Sequence, residues 1–183
     1  TTNGWYDTGA DHAMLLDRSL LIGDNRSLTG DTLYYDRNRG FGEAFGNMRM
    51  VDSLQYIIME GQYGFYNELT DLAFATDSAR VMEYSREDTL YLHADTLLSF
   101  IDIDSTRIVR AYYGVRFYRV DAQGVCDSMQ YVARDTTLSM YDNPIMWSGN
   151  QQIWGDTIRL FFNDSTIDRA HVINSAFATQ WKE

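Results

Sequence analysis

The sequence predicts an all-β fold, a repetitive antiparallel β-jellyroll folded over on itself, with helix at most minor. Three observations predict it. The composition is that of strands and turns: the 26 acidic residues are 20 Asp and 6 Glu, Lys182 is the single lysine beside 14 arginines, and 13 tyrosines lead an aromatic share of 14%. Asp favours turns and caps, Glu and Lys favour helices, and Tyr and Phe favour strands. Apolar and polar residues alternate with the period of two that marks a half-buried strand. Finally, one phrase recurs along the chain, which points to stacked units that bury a common core.

The recurring phrase is Asp-Thr/Ser-apolar. It stands at Asp31-Thr32-Leu33, Asp52-Ser53-Leu54, Asp88-Thr89-Leu90, Asp95-Thr96-Leu97, Asp127-Ser128-Met129 and Asp156-Thr157-Ile158. The copies at 31, 95, 127 and 156 open longer phrases, and Gly61-Gln62-Tyr63-Gly64-Phe65-Tyr66-Asn67 fills the gap near 62, so the intervals are 31, 33, 32 and 29 residues. Each unit is expected to hold two or three short strands joined by tight turns.

Taken in order, Ala13 to Ile22 has apolar positions that fit a helix or two short strands around Asp17-Arg18-Ser19, and its repeat context favours the strands. Gly30 to Asp36 reads as turn, strand, turn, followed by the turn Asp36-Arg37-Asn38-Arg39-Gly40. Gly46 to Met50 alternates Met48 and Met50 against Asn47 and Arg49. Gly61 to Asn67 and Ala79 to Tyr84 continue the pattern. In Val109 to Phe117, one face carries Val109, Ala111, Tyr113, Val115 and Phe117, and the other carries Arg110, Tyr112, Gly114, Arg116 and Tyr118. Ile158, Leu160 and Phe162 alternate with Arg159 and Phe161, and Ala170 to Ile173 closes the last unit.

Other features bound the function. At 183 residues the chain is expected to form one domain, 1–183. A net charge of −11 without a basic run argues against nucleic acid as a partner. Cys126 alone excludes an internal disulfide and has no His or basic neighbour to activate it. His12, His93 and His171 are widely spaced and read as strand or turn residues, with no metal or other cofactor expected. Asp102-Ile103-Asp104 opens like a calcium loop, but Arg107 stands where its glycine belongs and Tyr113 where its glutamate belongs. The many Asp residues are read as turn caps, not as catalytic carboxylates. Phosphate loops and nucleophile elbows are absent, so no catalytic residue is expected. Sequons at Asn25 and Asn163 matter only in a eukaryotic secretory setting. Trp5, Trp147, Trp154 and the tyrosines read either as cross-strand pairs or as a carbohydrate-binding face.

Several phrases together resemble the OstA-like proteins of Bacteroidetes. They are Ser27 to Asp36 (SLTGDTLYYD), Gly42 to Met48 (GEAFGNM), Ala75 to Ala79 (ATDSA), His93 to Leu97 (HADTL), Val125 to Met129 (VCDSM), Tyr141 to Trp147 (YDNPIMW), Asn163 to Ile167 (NDSTI) and Ala170 to Asn174 (AHVIN). That family is similar to the periplasmic protein LptA and to the N-terminal periplasmic domain of LptD. The resemblance implies a taco-like jellyroll open along one seam, with an apolar groove that shields acyl chains. It also implies lipopolysaccharide or lipid A as ligand, other jellyroll proteins joined by edge-strand pairing as partners, and the periplasm of a Gram-negative bacterium as location. No catalytic residues come with it. The opening Thr1-Thr2-Asn3-Gly4-Trp5 lacks a signal core, so the chain is expected to be a piece of a longer one.

On this reading the chain is a non-enzymatic protein of outer-membrane biogenesis. The groove-lining candidates are Met48, Met50, Val115, Phe117, Ile158, Leu160 and Phe162. Met82, Met129, Met140 and Met146 join them as flexible side chains that suit irregular apolar ligands. The alternative is a cell-surface carbohydrate-binding or adhesion module of β-solenoid type.

Overall fold

The computed structural model describes residues 1–85, 87–163 and 166–181. The second sequon, at Asn163, runs through Asp164 and Ser165 and lies outside the described residues. Among the described residues seventeen strands form one antiparallel sheet, not closed into a barrel. Ala13 to Ile22 is indeed two strands, β2 (His12–Leu15) and β3 (Ser19–Ile22).

Six long strands make the centre: β6 (Phe41–Asp52), β7 (Ile57–Asn67), β8 (Leu72–Glu83), β9 (Leu90–Ile101), β10 (Arg107–Arg119) and β11 (Ala122–Val132). Each pairs with the next as a hairpin. Beyond them the sheet divides. The first half of β6 pairs with β5 (Thr32–Asp36), which leads to β2 and then β1 (Gly4–Asp7). Its second half pairs with β4 (Arg26–Gly30), which leads to β3. At the other end, β11 pairs with both β12 (Thr137–Tyr141) and β13 (Ile145–Ser148). Strand β12 leads to β15 (Thr157–Asn163) and β16 (Thr166–Ile173); β13 leads to β14 (Gln151–Trp154) and β17 (Phe177–Gln180).

The sheet therefore has two halves, joined along a crease that crosses the middle of every long strand. A left-handed doublet marks the crease on alternate passes of the chain: Gly46-Asn47, Asp77-Ser78, Tyr113-Gly114, Asp142-Asn143 and Asn174-Ser175, all with positive φ. Two such residues face one on the neighbouring strand. Gly46 and Asn47 face Gln62, Asp77 and Ser78 face Asp95, and Tyr113 and Gly114 face Asp127. This is a β-bulge, which bends a strand and sharpens its twist. The sequence repeat at 31, 62, 95, 127 and 156 is the opposite side of these bulges. Asp31 N donates to Gly46 O at 2.9 Å and Asp156 N to Asn174 O at 3.2 Å. Asn47 Nδ2 donates to Asp31 Oδ2 at 2.7 Å, which holds the doublet in place.

Two expectations change here. The sequence suggests short strands, yet the six central ones run for 11 to 13 residues, because a bulge bends the ladder without ending it. Tyr113, expected on the apolar face of β10, is 65% exposed with φ 64°. The doublet takes it out of the alternation, so Ala111 and Val115 share the inner face across a gap of four residues. Asx turns close the hairpins at the outer ends, as the Asp-rich composition implies. Asp7 Oδ1 accepts from Gly9 N and Ala10 N, Asp52 Oδ1 from Leu54 N and Gln55 N, and Asn67 Oδ1 from Leu69 N and Thr70 N.

Candidate functional site

One face of the sheet is apolar in both halves. In the half that contains β3 and β4, a row runs through cross-strand partners from Leu21 to Leu28, Met50, Met59, Val81, Leu92, Phe117, Gly124, Met146, Ile153 and Ala178. In the half that contains β2 and β5, the matching row runs from Leu15 to Leu33, Ala44, Gly64, Ala75, Leu97, Ala111, Met129, Met140, Ile158 and Val172. Most of these residues belong to a single buried cluster. Each buried Leu, Met or Phe contributes about 1.5–3 kcal/mol, whereas the Arg18–Asp31 ion pair is exposed and screened by solvent. The inner face, not the surface charge, therefore holds the fold.

The seven sequence candidates can now be placed. Met48, Met50, Val115, Phe117, Ile158 and Leu160 are buried in this cluster, and Phe162 packs against it partly buried. Met50 and Phe117 share the first row, Ile158 lies in the second, and Met48 and Val115 lie beside the crease. Leu160 pairs with Leu138 in a further row, nearer the hairpin ends. Met129, Met140 and Met146 face inward too, but Met82 does not. It alternates with Val81 and faces outward beside Ile58 and Tyr91; the residue inside is Met59. Sequence reasoning also missed Leu28, Leu33 and Leu97. The small residues Ala44, Gly64, Ala75, Ala79 and Ala94 were missed as well, since Ala and Gly carry little hydropathy signal, whereas Ala111 lies on the inner face as its alternation indicated. They let larger neighbours in: a Cβ on Gly64 would lie 2.2 Å from Met48 Cε and 2.5 Å from Phe74 O.

The interior is filled by its own side chains from β5 to β15, where Leu33, Leu97, Val115, Met140, Ile158 and Leu160 are fully buried. It opens at the β3–β5 end. There a cleft of about 140 Å³ is lined by Leu21, Leu28, Tyr35, Met50, Tyr66 and Arg26. The two halves meet face to face at this point, since a Cβ on Gly42 would lie 3.3 Å from Leu28 Cδ2.

A polar clasp ties the halves together beside the cleft. Arg26 Nε donates to Asp52 Oδ2 at 2.6 Å within one half. Its other nitrogens cross to the second half, reaching the Tyr66 hydroxyl and Asp71 Oδ1, the latter at 3.0 Å. Its guanidinium lies 4.4 Å from the Tyr66 ring centroid. Tyr66 OH donates to Asp71 Oδ1 at 2.8 Å, and Arg107 binds Asp71 Oδ2 and donates to Ser99 Oγ at 3.0 Å. Burial pushes the Asp71 carboxyl up, but the Tyr66 hydroxyl, Arg107 and Arg26 outweigh it and hold it below the usual range. Burial and then Asp71 raise the Tyr66 hydroxyl.

Nucleophile and metal chemistry find little here. Cys126 faces the core, and burial pushes its thiol up to about 12. His12 lies in β2, His93 in β9 and His171 in β16, on separate strands. Among the described residues no group of three or more His, Cys, Asp or Glu is placed to hold a metal ion.

No family model matches the sequence, and no curated protein matches it. Among solved structures the chain is similar to LptH of Pseudomonas aeruginosa, described as the LptA-homologous periplasmic component of the conserved lipopolysaccharide transport device. The TM-score is 0.51 at 9% identity, over 92% of this chain and 100% of LptH. Together with the bulged crease and the apolar inner face, that likeness gives the architecture its name: the chain has the LptA-like jellyroll fold.

Proposed function

We propose that this chain is a non-enzymatic periplasmic carrier of outer-membrane biogenesis in a Gram-negative bacterium, a single domain that shields the acyl chains of lipopolysaccharide along its inner face. The observation that carries the proposal is the pair of apolar rows running unbroken from the β3–β5 end to the β16–β17 end. An acyl chain needs such a path, because each methylene kept from water contributes about 0.8 kcal/mol. The fold shared with LptH, a component of a lipopolysaccharide transport device, supports the same reading.

The filled interior is consistent with a role for methionine in admitting the ligand. Met48, Met50, Met59, Met129, Met140 and Met146 face inward, and unbranched thioethers rearrange at lower cost than branched side chains. Acyl chains would enter at the cleft beside Arg26 and displace these side chains as the two halves part. Bridging to other jellyrolls would use the sheet ends. Among the described residues β1, β3, β16 and β17 each pair with one strand only, and an unpaired edge is a template for strand addition.

The carbohydrate alternative is weaker on a specific point. On the outer face Phe65 and Phe74 stack at 5.2 Å, Phe41 lies 5.4 Å from Phe65, and Phe45 lies 5.2 Å from Tyr63. These rings are occupied with one another as cross-strand pairs.

A photo-crosslinking residue at Leu21 or Met50, against one at Arg159 on the outer face, tests the proposal with a fluorescent lipid A analogue. Saturable crosslinking at the two inner positions alone is expected. Absence of saturable binding, or equal labelling at Arg159, would refute it.

A further inference from the structure

The outer face of the β3–β4 half carries a pattern that the inner face does not explain. Arg49, Glu60, Arg80, His93 and Arg116 form one row across five adjacent strands, β6 to β10. In a chain of net charge −11, this row holds three arginines against one carboxylate. Glu60 is already engaged by Arg49 at 2.8 Å. Arg80 and Arg116, both exposed, flank His93 directly across the ladder; Glu60 stands opposite Arg80 but is bound by Arg49, and among the described residues neither Arg80 nor Arg116 forms an ion pair. Like charges set side by side in a sheet are destabilising. Burial, then Arg116 and Arg80, hold His93 below its ordinary range, so the repulsion is eased by keeping it neutral. Its Nδ1 is buried and has no hydrogen-bond partner among the described residues.

The neighbouring outer row is apolar and aromatic. It runs through Val51, Ile58, Met82, Tyr91 and Tyr118, with the last two 49% exposed each and 6.5 Å apart. Tyr56 and Tyr84 add an edge-to-face pair at 5.7 Å at the hairpin ends of this half. A basic row beside a tyrosine row matches the layering of a lipid surface, with phosphates outermost and a ring-accepting interfacial zone beneath. Arg80 and Arg116 lie two strands apart, about 10 Å, which suits two separate headgroups better than one small anion.

We propose that this outer face docks on an anionic, phosphate-bearing lipid bilayer. Arg80 and Arg116 take the headgroup phosphates, and Tyr91 and Tyr118 enter the interfacial zone. The inference is independent of what the inner face holds.

Co-sedimentation with vesicles of phosphatidylglycerol and phosphatidylcholine, against phosphatidylcholine alone, tests it. The parent chain should bind the anionic vesicles and lose them as salt rises. Arg80→Glu with Arg116→Glu should weaken binding about 30-fold or more, since each arginine near an anionic surface contributes roughly a factor of five. Arg80→Gln with Arg116→Gln should weaken it less, and serves if the first pair does not fold. Arg159→Glu with Arg169→Glu, the same charge change on the other half, should leave most binding in place, and lipid A analogue uptake should be unchanged in the Arg80 and Arg116 variants. No preference of the parent for anionic vesicles overturns the proposal, as does an equal loss in the Arg159 and Arg169 variant. Displacement by inorganic phosphate at matched ionic strength overturns it in favour of a discrete anion site.

Discussion

Arg26 Nη2 lies 3.0 Å from Asp71 Oδ1, and the two residues belong to opposite halves of the folded sheet. Arg26 sits on β4, one strand from a free sheet edge, and Asp71 closes the β7–β8 hairpin. The bond spans the mouth between the lips of the fold, beside the cleft that leads to the inner face. It is the contact by which the halves would have to part.

Replacing Arg26 by Met is therefore expected to loosen the mouth. It leaves Asp52, whose side chain is only 7% exposed, without its cation. Losing a charged partner at a largely buried carboxylate costs about 1–3 kcal/mol. Urea melts should show that loss, and hydrogen exchange should rise first in β3 and β4. A midpoint unchanged within error would mean the clasp carries no stability.

The same clasp gives a pH dependence. Asp71 is held below its unfolded value, so its contribution is present above the unfolded carboxylate range, near pH 4. It is lost as pH falls from there through the folded value. Stability measured from pH 6 down to pH 2 should fall less steeply in Asp71→Asn than in the parent. Parallel profiles would contradict this assignment.

The crease can be tested at two positions of opposite character. Gly46 has φ +72°, and a Cβ there would lie 2.7 Å from Asp31 Oδ2, so Gly46→Ala should destabilise by about 1–3 kcal/mol. Tyr113 has φ 64° and an exposed side chain, so Tyr113→Gly removes strain and should stabilise by up to about 1–2 kcal/mol. Thermal melts decide, and the same sign for both would remove the crease argument.

Charges on the inner face separate a filled core from an open path. Leu160 is 1% exposed, so Leu160→Asp buries an unpaired carboxylate and should unfold the protein. Leu21 lines the cleft partly buried, so Leu21→Asp should stay folded yet bind a lipid A analogue poorly. A folded Leu160→Asp that still binds lipid as well as the parent would show that this position lines neither core nor path.

Cys126 should resist thiol reagents in the native state. Its thiol is pushed up to about 12 by burial, so almost none is thiolate at pH 7.5. Labelling with a maleimide should track unfolding in urea. Rapid labelling of the folded protein would place Cys126 at the surface.

The sequence by itself determined the class of fold and the direction of most side chains. Period-two alternation in Val115 to Phe117 and Ile158 to Phe162 is a local property of pleated strands, so those residues could be assigned to one face before any pairing was known. The repeat at 31, 62, 95, 127 and 156 was also legible, though its meaning was not. A list of Asp-Thr/Ser phrases does not say that Gly46-Asn47, Asp77-Ser78 and Tyr113-Gly114 stand opposite them. That pairing is long-range, and only it turns a break in alternation into a bulge. Tertiary structure alone decided that Tyr113 leaves the apolar face, that Met59 and not Met82 points inward, and that Ala44, Gly64 and Ala75 line the interior. It also brought Arg26, Tyr66 and Asp71 together. They lie 40 and 45 residues from Arg26 along the chain, and the side chains meet only because the bulges fold one half of the sheet over the other.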